Sequence, residues 1–415
     1  MSAARDRNEP DRVPTIAGLA HIARMVYEGA DRTPFIESLT ARIGHDPNDA
    51  AAFLDLSTML HLTGNRDDGL RIQAIALDTC SIYRCVHGNG SGLRVVALFS
   101  HGDLMSNTPL DFLFEGSDIT VYSVYLANGT RLPDDIPYHD VAYLGVAESD
   151  ANRSLLNALQ TVAATWPVPM LNGRARRIVE LSRDHMWELF IGTPDVVAPP
   201  NARVTRADLL RIEEDEGRLT EVLQGEQYPI IVRPLDSHAG HGLVRIADPV
   251  QLRDYIAASE ASEFYIAPYI DYRSADGRFR KYRIVFIAGR PYLAHLAISE
   301  HWMVHYLNAG MHESEEKRAE EAQSMERFDY EFGARHRGAL GAVAAQTGLE
   351  YFAVDCAETT DGRLLLFEAG TGMIVHSMDS ADLYPYKQRQ MKRTFTAFTA
   401  MLHAEAANGR IKAAG

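Results

Sequence analysis

Tyr228-Pro-Ile-Ile-Val-Arg-Pro-Leu-Asp-Ser-His-Ala-Gly-His-Gly242 is the stretch that organises the chain. Pro229 to Val232 is short, apolar and rich in β-branched residues, which predicts a strand ending at Arg233. Residues 236–242 follow, with Gly240 and Gly242, and Leu243 to Ile246 reads as the returning strand. Glycine permits positive φ and close backbone approach, so such a loop can lay N–H groups against phosphates. Arg233 adds fixed charge beside it. A plain β-hairpin with a glycine-rich turn has the same pattern.

Leu349 to Ile374 reads as a second hairpin, turning at Asp361-Gly362. Asp355 and Glu368 are about equidistant from that turn, so pairing brings two carboxylates together on one face. The flanking runs Tyr351–Val354 and Leu364–Phe367 are apolar, and like charges there need a cation between them. Mg²⁺ held by carboxylates and phosphates meets that need; a solvated strand face carrying two acids is the plainer alternative.

The order of these parts resembles the ATP-grasp superfamily, in the layout of glutathione synthetase and ribosomal-protein glutamate ligase, over roughly residues 90–400. Leu181-Ser-Arg-Asp-His-Met-Trp-Glu-Leu-Phe190 is similar to a helix of that family that begins Asp-Lys, with His185 at the lysine position. Arg233 stands at another family lysine, and Asp236–Gly242 resembles the mobile loop. Phe264–Ile270 resembles the adenine hinge, although Pro268 removes one N–H. The resemblance implies ATP and Mg²⁺ as cofactors. Nucleotide contacts then fall to His185, Arg233, Ser237, His238, Gly240, Gly242, Ala267, Tyr269 and Lys281. Asp355 and Glu368 match the metal ligands, and Gly370 stands where the family has Asn. Arg283, Asn308 and Arg233 match positions near the transferred phosphoryl group.

The implied fold is α/β (α+β): a helical N-terminal segment, a small open α/β sheet domain, then an ATP-grasp fold of two α+β sub-domains. The boundaries are a disordered tail at 1–13, a helical tetratricopeptide-like segment at 14–88, an α/β substrate domain at 89–173, a small sub-domain with the glycine loop at 174–270, and a C-terminal sub-domain with the metal site at 271–415. The implied activity is carboxylate–amine ligation through an acyl phosphate, on small-molecule or peptide substrates. Phosphotransfer on the same fold, and a degenerate scaffold whose residues 14–83 bind a protein partner, are the alternatives. A homodimer is a candidate assembly.

Composition bounds these readings. The chain has 415 residues, 46% of them hydrophobic, and a net charge of −15, which opposes binding to nucleic acid. Cys80, Cys85 and Cys356 form no paired framework and read as buried thiols. With no apolar run of membrane length and no signal-like start, the expected location is the cytoplasm.

Further candidates come from position. Residues 100–107 follow the buried strand Leu93–Phe99, and ligands gather at strand carboxyl ends in open α/β sheets, which nominates His101, Asp103, Ser106 and Asn107. Turn chemistry uses the same residue types. Lys281 and Arg283 alternate onto one strand face within the basic cluster Arg278–Arg283. His301 and His305 have the i, i+4 spacing of a helical zinc site without a third partner, and read instead as contacts to an acidic substrate or phosphate. His376 follows the second carboxylate strand and is expected on the substrate side.

Overall fold

A computed structural model describes residues 13–129, 131–235 and 242–414. Residues 1–12 of the expected tail lie outside it, as do Ser237, His238 and Gly240 of the loop.

Four helices come first: α1 (Leu19–Tyr27), α2 (Thr33–His45), α3 (Ala50–Leu62) and α4 (Arg66–Thr79). Asp49 caps α3 by accepting from the Ala52 N–H. The α3–α4 crossing is close. Ser57 Oγ donates to the Gly69 carbonyl at 2.7 Å, and a Cβ on Gly69 would come within 2.9 Å of the His61 ring. Ala50, Leu54, Ala76 and Leu77 pack on Tyr83 and Tyr125 of the following sheet. The hairpin is thus a cap on the next layer rather than one unit of a stacked array.

The first sheet contains β1 (Ile82–Val86), β2 (Arg94–Ser100), β3 (Thr120–Leu126), β4 (Val141–Leu144) and β5 (Met170–Leu171), in the order β1-β3-β2-β4-β5. All its pairings are parallel except β1 with β3. This corrects the expected helical segment 14–88 at both ends. Ile16 is extended and its N–H bonds the Arg84 carbonyl, and residues 82–86 form a sheet edge. A five-residue strand whose adjacent Ile82 and Tyr83 are both buried lacks the period-two alternation that marks a strand.

After β6 (Val196–Val197) comes an antiparallel sheet of β7 (Ala202–Thr205), β8 (Ile230–Pro234), β9 (Val244–Ile246) and β10 (Glu263–Pro268), in the order β7-β10-β8-β9. The expected hairpin is β8–β9, with Val232 opposite Val244. Gly242 has φ +67°, and a Cβ there would press within 2.8 Å of the Pro234 ring. This sheet has its own core, centred on Leu209, Ile230, Val232, Leu252, Phe264 and Ile266.

The third sheet contains β11 (Phe279–Ile287), β12 (Arg290–Ser299), β13 (Tyr351–Glu358) and β14 (Leu364–Gly370), in the order β12-β11-β13-β14-β6. Its core is continuous with that of the first sheet. Phe398, on the closing helix Pro385–Ala414, sits in ring contact with Phe114 and Tyr143 on one side and Tyr351 on the other. Buried Asn172 adds a polar tie: its amide donates to Tyr143 Oη and to the Tyr351 carbonyl, and its oxygen accepts from the Tyr351 N–H. The first and third sheets therefore share one core, while the second keeps a separate one. The α/β (α+β) architecture expected from the sequence is the one observed.

Candidate active site

The charged residues of the candidate site lie on three neighbouring strands. Their register puts Arg283 of β11 opposite Asp355 of β13, and Asp355 opposite Glu368 of β14. The carboxylate pairing read from turn spacing is thus present. Register shifts follow both Arg283 and Asp355, and such bulges re-aim side chains at a sheet's functional edge.

Asp355 is fully buried, and both of its oxygens are engaged. Arg283 donates from Nε to Oδ1 at 2.8 Å and from Nη2 to Oδ2 at 3.0 Å; Lys281 Nζ donates to Oδ2 at 2.9 Å. Burial pushes this carboxyl up, but Arg283 and Lys281 outweigh it and hold the group well below the usual carboxylate range. Arg283 also donates to the Ile374 carbonyl at 3.1 Å, which ties the loop after β14 to the same row. Lys281 and Arg283 share a face, whereas Arg278 and Arg280 turn the other way. Those two pair with Asp276, Glu316 and Glu320, so half the basic cluster is spent on the helix Glu315–Arg327.

Glu368 accepts a hydrogen bond on Oε2 from Arg183 Nη2. Arg233 reaches the row from β8 of the second sheet. Burial and then Arg183 lower its pKa to about 10, with Glu368 opposing, so it stays charged at neutral pH. Glu148, just beyond β4, faces the same cluster. Burial raises its carboxyl to about 7 against the attraction of Arg153, and Asp150, Asp184 and Arg183 also act on it. All three sheets thus contribute charge to one cluster.

The other expected residues divide. His305 lies beside the row: burial, then Lys281 and Arg283, lower its pKa. His301 is exposed, and residues 301–305 are not helical, so the i, i+4 spacing brings no two imidazoles onto one helical face. Asn308 is exposed in a short 3-10 turn, Tyr306–Asn308, where its Oδ1 accepts from the His305 N–H. His185 precedes another 3-10 turn, Met186–Phe190, rather than an α-helix, and bonds Ser182 Oγ at 2.9 Å. Gly192, with φ +70°, and Pro194 end the segment after one turn.

At the hinge, Ala267 is buried opposite Ile231, and the Tyr269 N–H is taken by the Pro229 carbonyl at 2.9 Å. That N–H is therefore committed to the chain. The Tyr269 ring lies under the Arg245 guanidinium, 4.5 Å from its centroid, and edge-on to Trp302 at 5.7 Å. These planar groups pack on one another.

The loop after β2 is mostly self-satisfied. Asn107 accepts from the Ser100 N–H and donates to the Ser100 carbonyl, and Asp103 pairs with Arg66 at 2.8 Å. His101 has a pKa lowered by burial, against the charge of Asp78. The loop nevertheless abuts the β14 end: a Cβ on Gly372 would come within 2.9 Å of Ala147 Cβ and 3.2 Å of the Met105 carbonyl. His376 is nearby, its pKa lowered by burial, with its ring 5.2 Å from that of Tyr27 on α1.

Three contributors were not among the sequence candidates, Glu148, Arg245 and Trp302, whereas Arg183 and His295 stand in stretches whose basic and histidine residues the sequence marks as possible phosphate or substrate contacts. His295 of β12 is opposite Arg283, and burial followed by Arg283 drives its pKa well down. Arg183 had a signal in its place beside Asp184-His185. Glu148 and Trp302 had none, since only the packing of separate elements brings them to the site.

No protein-family model and no curated protein matches the sequence. Among solved structures, the chain is similar to the VanG D-Ala:D-Ser ligase of Enterococcus faecalis, at 12% identity, with 75% of this chain and 100% of that one covered and a TM-score of 0.46. It is similar to a D-alanine–D-alanine ligase of Bacillus anthracis complexed with ATP, at 12% identity, 77% and 99% coverage and a TM-score of 0.43. A RimK domain ATP-grasp protein of Sphaerobacter thermophilus is 16% identical, with 74% and 99% coverage and a TM-score of 0.39. A likeness of this size does not decide a function, and the site chemistry must carry it.

Asp355 and Glu368 suit Mg²⁺ in donor type, but each already has a cationic partner. Position 370 is a glycine and offers no side-chain donor. Lys281 and Arg283 already answer the charge of Asp355, and Arg183 that of Glu368. A bare divalent cation is disfavoured there. A metal–polyphosphate unit fits, because its phosphates answer the cations and supply the missing ligands.

Proposed function

We propose that this protein is an ATP-dependent carboxylate–amine ligase of ATP-grasp type. The observation that carries the reading is the row Arg283–Asp355–Glu368 with Arg233 arriving from the opposite sheet. Polyanion chemistry is favoured by fixed guanidinium groups, which stay charged and present planar forks of donors to phosphate oxygens.

In this reading the polyphosphate lies between the β8–β9 hairpin and the β11–β13–β14 floor, with the base against Tyr269 and Arg245. The γ-phosphoryl group passes to a substrate carboxylate, and ADP leaves. An amine then attacks the acyl phosphate, forming the amide and releasing phosphate. Lys281, Arg283 and Arg233 steady the charge that shifts between oxygens, so catalysis is positioning and electrostatic stabilisation. Asp355 and Glu368 are the residues that would hold Mg²⁺, which would neutralise phosphate charge when bound with the nucleotide. The acid and amine enter from the side of Gly372, Ala147 and His376, where the first sheet's strand ends meet β14.

The test begins with thermal shift and calorimetry using ATP, ADP and GTP, with and without Mg²⁺. Release of ADP and phosphate is then measured with panels of acids and amines, and the amide is sought by mass spectrometry. ATP binding with amide formation supports the reading. A phosphorylated product that persists in the presence of amines makes the protein a phosphotransferase, and the absence of any nucleotide binding makes it a scaffold.

A further inference from the structure

A second cluster of ligand-type side chains lies outside the candidate site, where α1 begins. Cys85 and His87 are two apart at the end of edge strand β1, so they leave the backbone on the same side. Asp111 comes to them from the short helix Leu110–Leu113. One sulfur, one imidazole nitrogen and one carboxylate oxygen from these three residues all lie within 4.8 Å of one another.

Three features point to a missing partner. Buried His87 Nε2 has no hydrogen-bond partner within bonding geometry, and its nearest carboxylate oxygen, Asp111 Oδ1, is 3.5 Å away. Cys85 is only 5% exposed, and the acceptor its thiol meets, the Ala17 carbonyl, is a distant 3.9 Å away. A bound metal ion would displace that thiol proton on binding. Finally, Gly18, with φ +85°, leaves the space between the ligands clear. A Cβ there would fall 2.6 Å from Cys85 Sγ and 2.7 Å from Asp111 Oδ2.

We propose that Cys85, His87 and Asp111 bind a borderline transition-metal ion of the Zn²⁺ class, which clamps the start of α1 to the edge of the first sheet. Thiolate, imidazole and carboxylate together select such an ion over Mg²⁺ or Ca²⁺. Metal–ligand bonds of about 2.0–2.3 Å imply ligand separations of roughly 3.3–3.6 Å, so side-chain rotation of about an ångström closes the site. Asp111 Oδ2 also accepts from the Leu19 N–H at 2.6 Å, so the same carboxylate joins metal and helix. Tyr27 at the far end of α1 touches His376, which places the clamp behind the substrate side of the site.

The test uses the full-length protein, reduced, stripped with chelator and titrated with Co²⁺ alone. The expected result is one ion per chain, a thiolate-to-cobalt charge-transfer band in the near ultraviolet, displacement by Zn²⁺ and no displacement by excess Mg²⁺. Cys85→Ser should abolish the band, and His87→Gln should weaken binding by at least roughly 10- to 100-fold. Zn²⁺ should raise the Tm of the wild type and leave that of Cys85→Ser unchanged. Circular dichroism of the metal-free variants reports folding separately, and Cys80→Ser is the control for the neighbouring thiol. Sub-stoichiometric cobalt, a band that survives Cys85→Ser, or equal Zn²⁺ stabilisation of wild type and variant overturns the proposal.

Discussion

Asp355 and Glu368 face each other across the β13–β14 pair, yet each is held by cations from a different part of the chain. Asp355 is bound by Arg283 and Lys281 of the adjacent strand, Glu368 by Arg183 from the segment before β6. The two carboxylates therefore differ in role. Asp355 is held by cations of its own sheet, and Glu368 by one from outside it.

That difference sets the first expectation. Glu368→Gln removes a charge whose partner, Arg183, is then released to phosphate. Mg²⁺-dependent ATP affinity should fall about tenfold or more, while metal-free ATP affinity holds or rises. Calorimetry with and without Mg²⁺ measures both; an unchanged Mg-ATP affinity removes Glu368 from the metal set.

Asp355→Asn should act on folding. Removing one member of a buried ion pair leaves the others uncompensated, at a cost of about 3–5 kcal/mol. Because the folded pKa of Asp355 is depressed, its contribution is present above the ordinary carboxyl value and is lost as pH falls through the folded one. Urea unfolding of wild type and variant between pH 7 and acid should show the gap narrowing downward. A variant as stable as wild type at pH 7 would contradict the ion-pair assignment.

Arg233 tests geometry against charge. If it binds phosphate through two donors, Arg233→Lys keeps the charge and loses one charge-assisted bond, about 1.5–3 kcal/mol or roughly ten- to a hundredfold in kcat/KM for ATP. Arg233→Ala should be worse. Wild-type kinetics in the Ala variant would take Arg233 out of the site.

Glu148 carries the opposite pH sign. Its carboxyl is raised to about 7 in the fold, so its favourable contribution is full below its ordinary value and is lost as pH rises through about 7. Glu148→Gln should remove that loss and stabilise the protein at pH 8 by about 2 kcal/mol, with little effect at pH 5. A difference that is flat between pH 5 and 8 would refute the shift.

The first 87 residues are predicted to be inseparable from the rest. A chain starting at residue 88 loses strand β1 and the α3–α4 surface that covers Tyr125. It should show no cooperative thermal transition near that of the full chain. A soluble product with an unchanged Tm would mean the helices are an appendage.

Local pattern alone determined a good deal. The apolar runs around 229–246 and 351–367 and the turn at Asp361-Gly362 are short-range signals; both hairpins formed, and the second pairs Asp355 with Glu368 as the turn spacing implied. Strand alternation likewise put Lys281 and Arg283 on one face. What the pattern left open was which charges would be spent locally. Asn107 and Asn308 satisfy nearby backbone, and Arg278 and Arg280 satisfy a helix, because short polar side chains and flexible cations take the nearest partner that folding provides. Arg183, Glu148 and Trp302 reach the site, and Asp111 reaches Cys85 and His87, only because distant elements pack together. Sequence spacing sets which neighbours share a strand face or a turn. Burial of separate apolar faces decides which of those faces meet, and that depends on the whole chain at once.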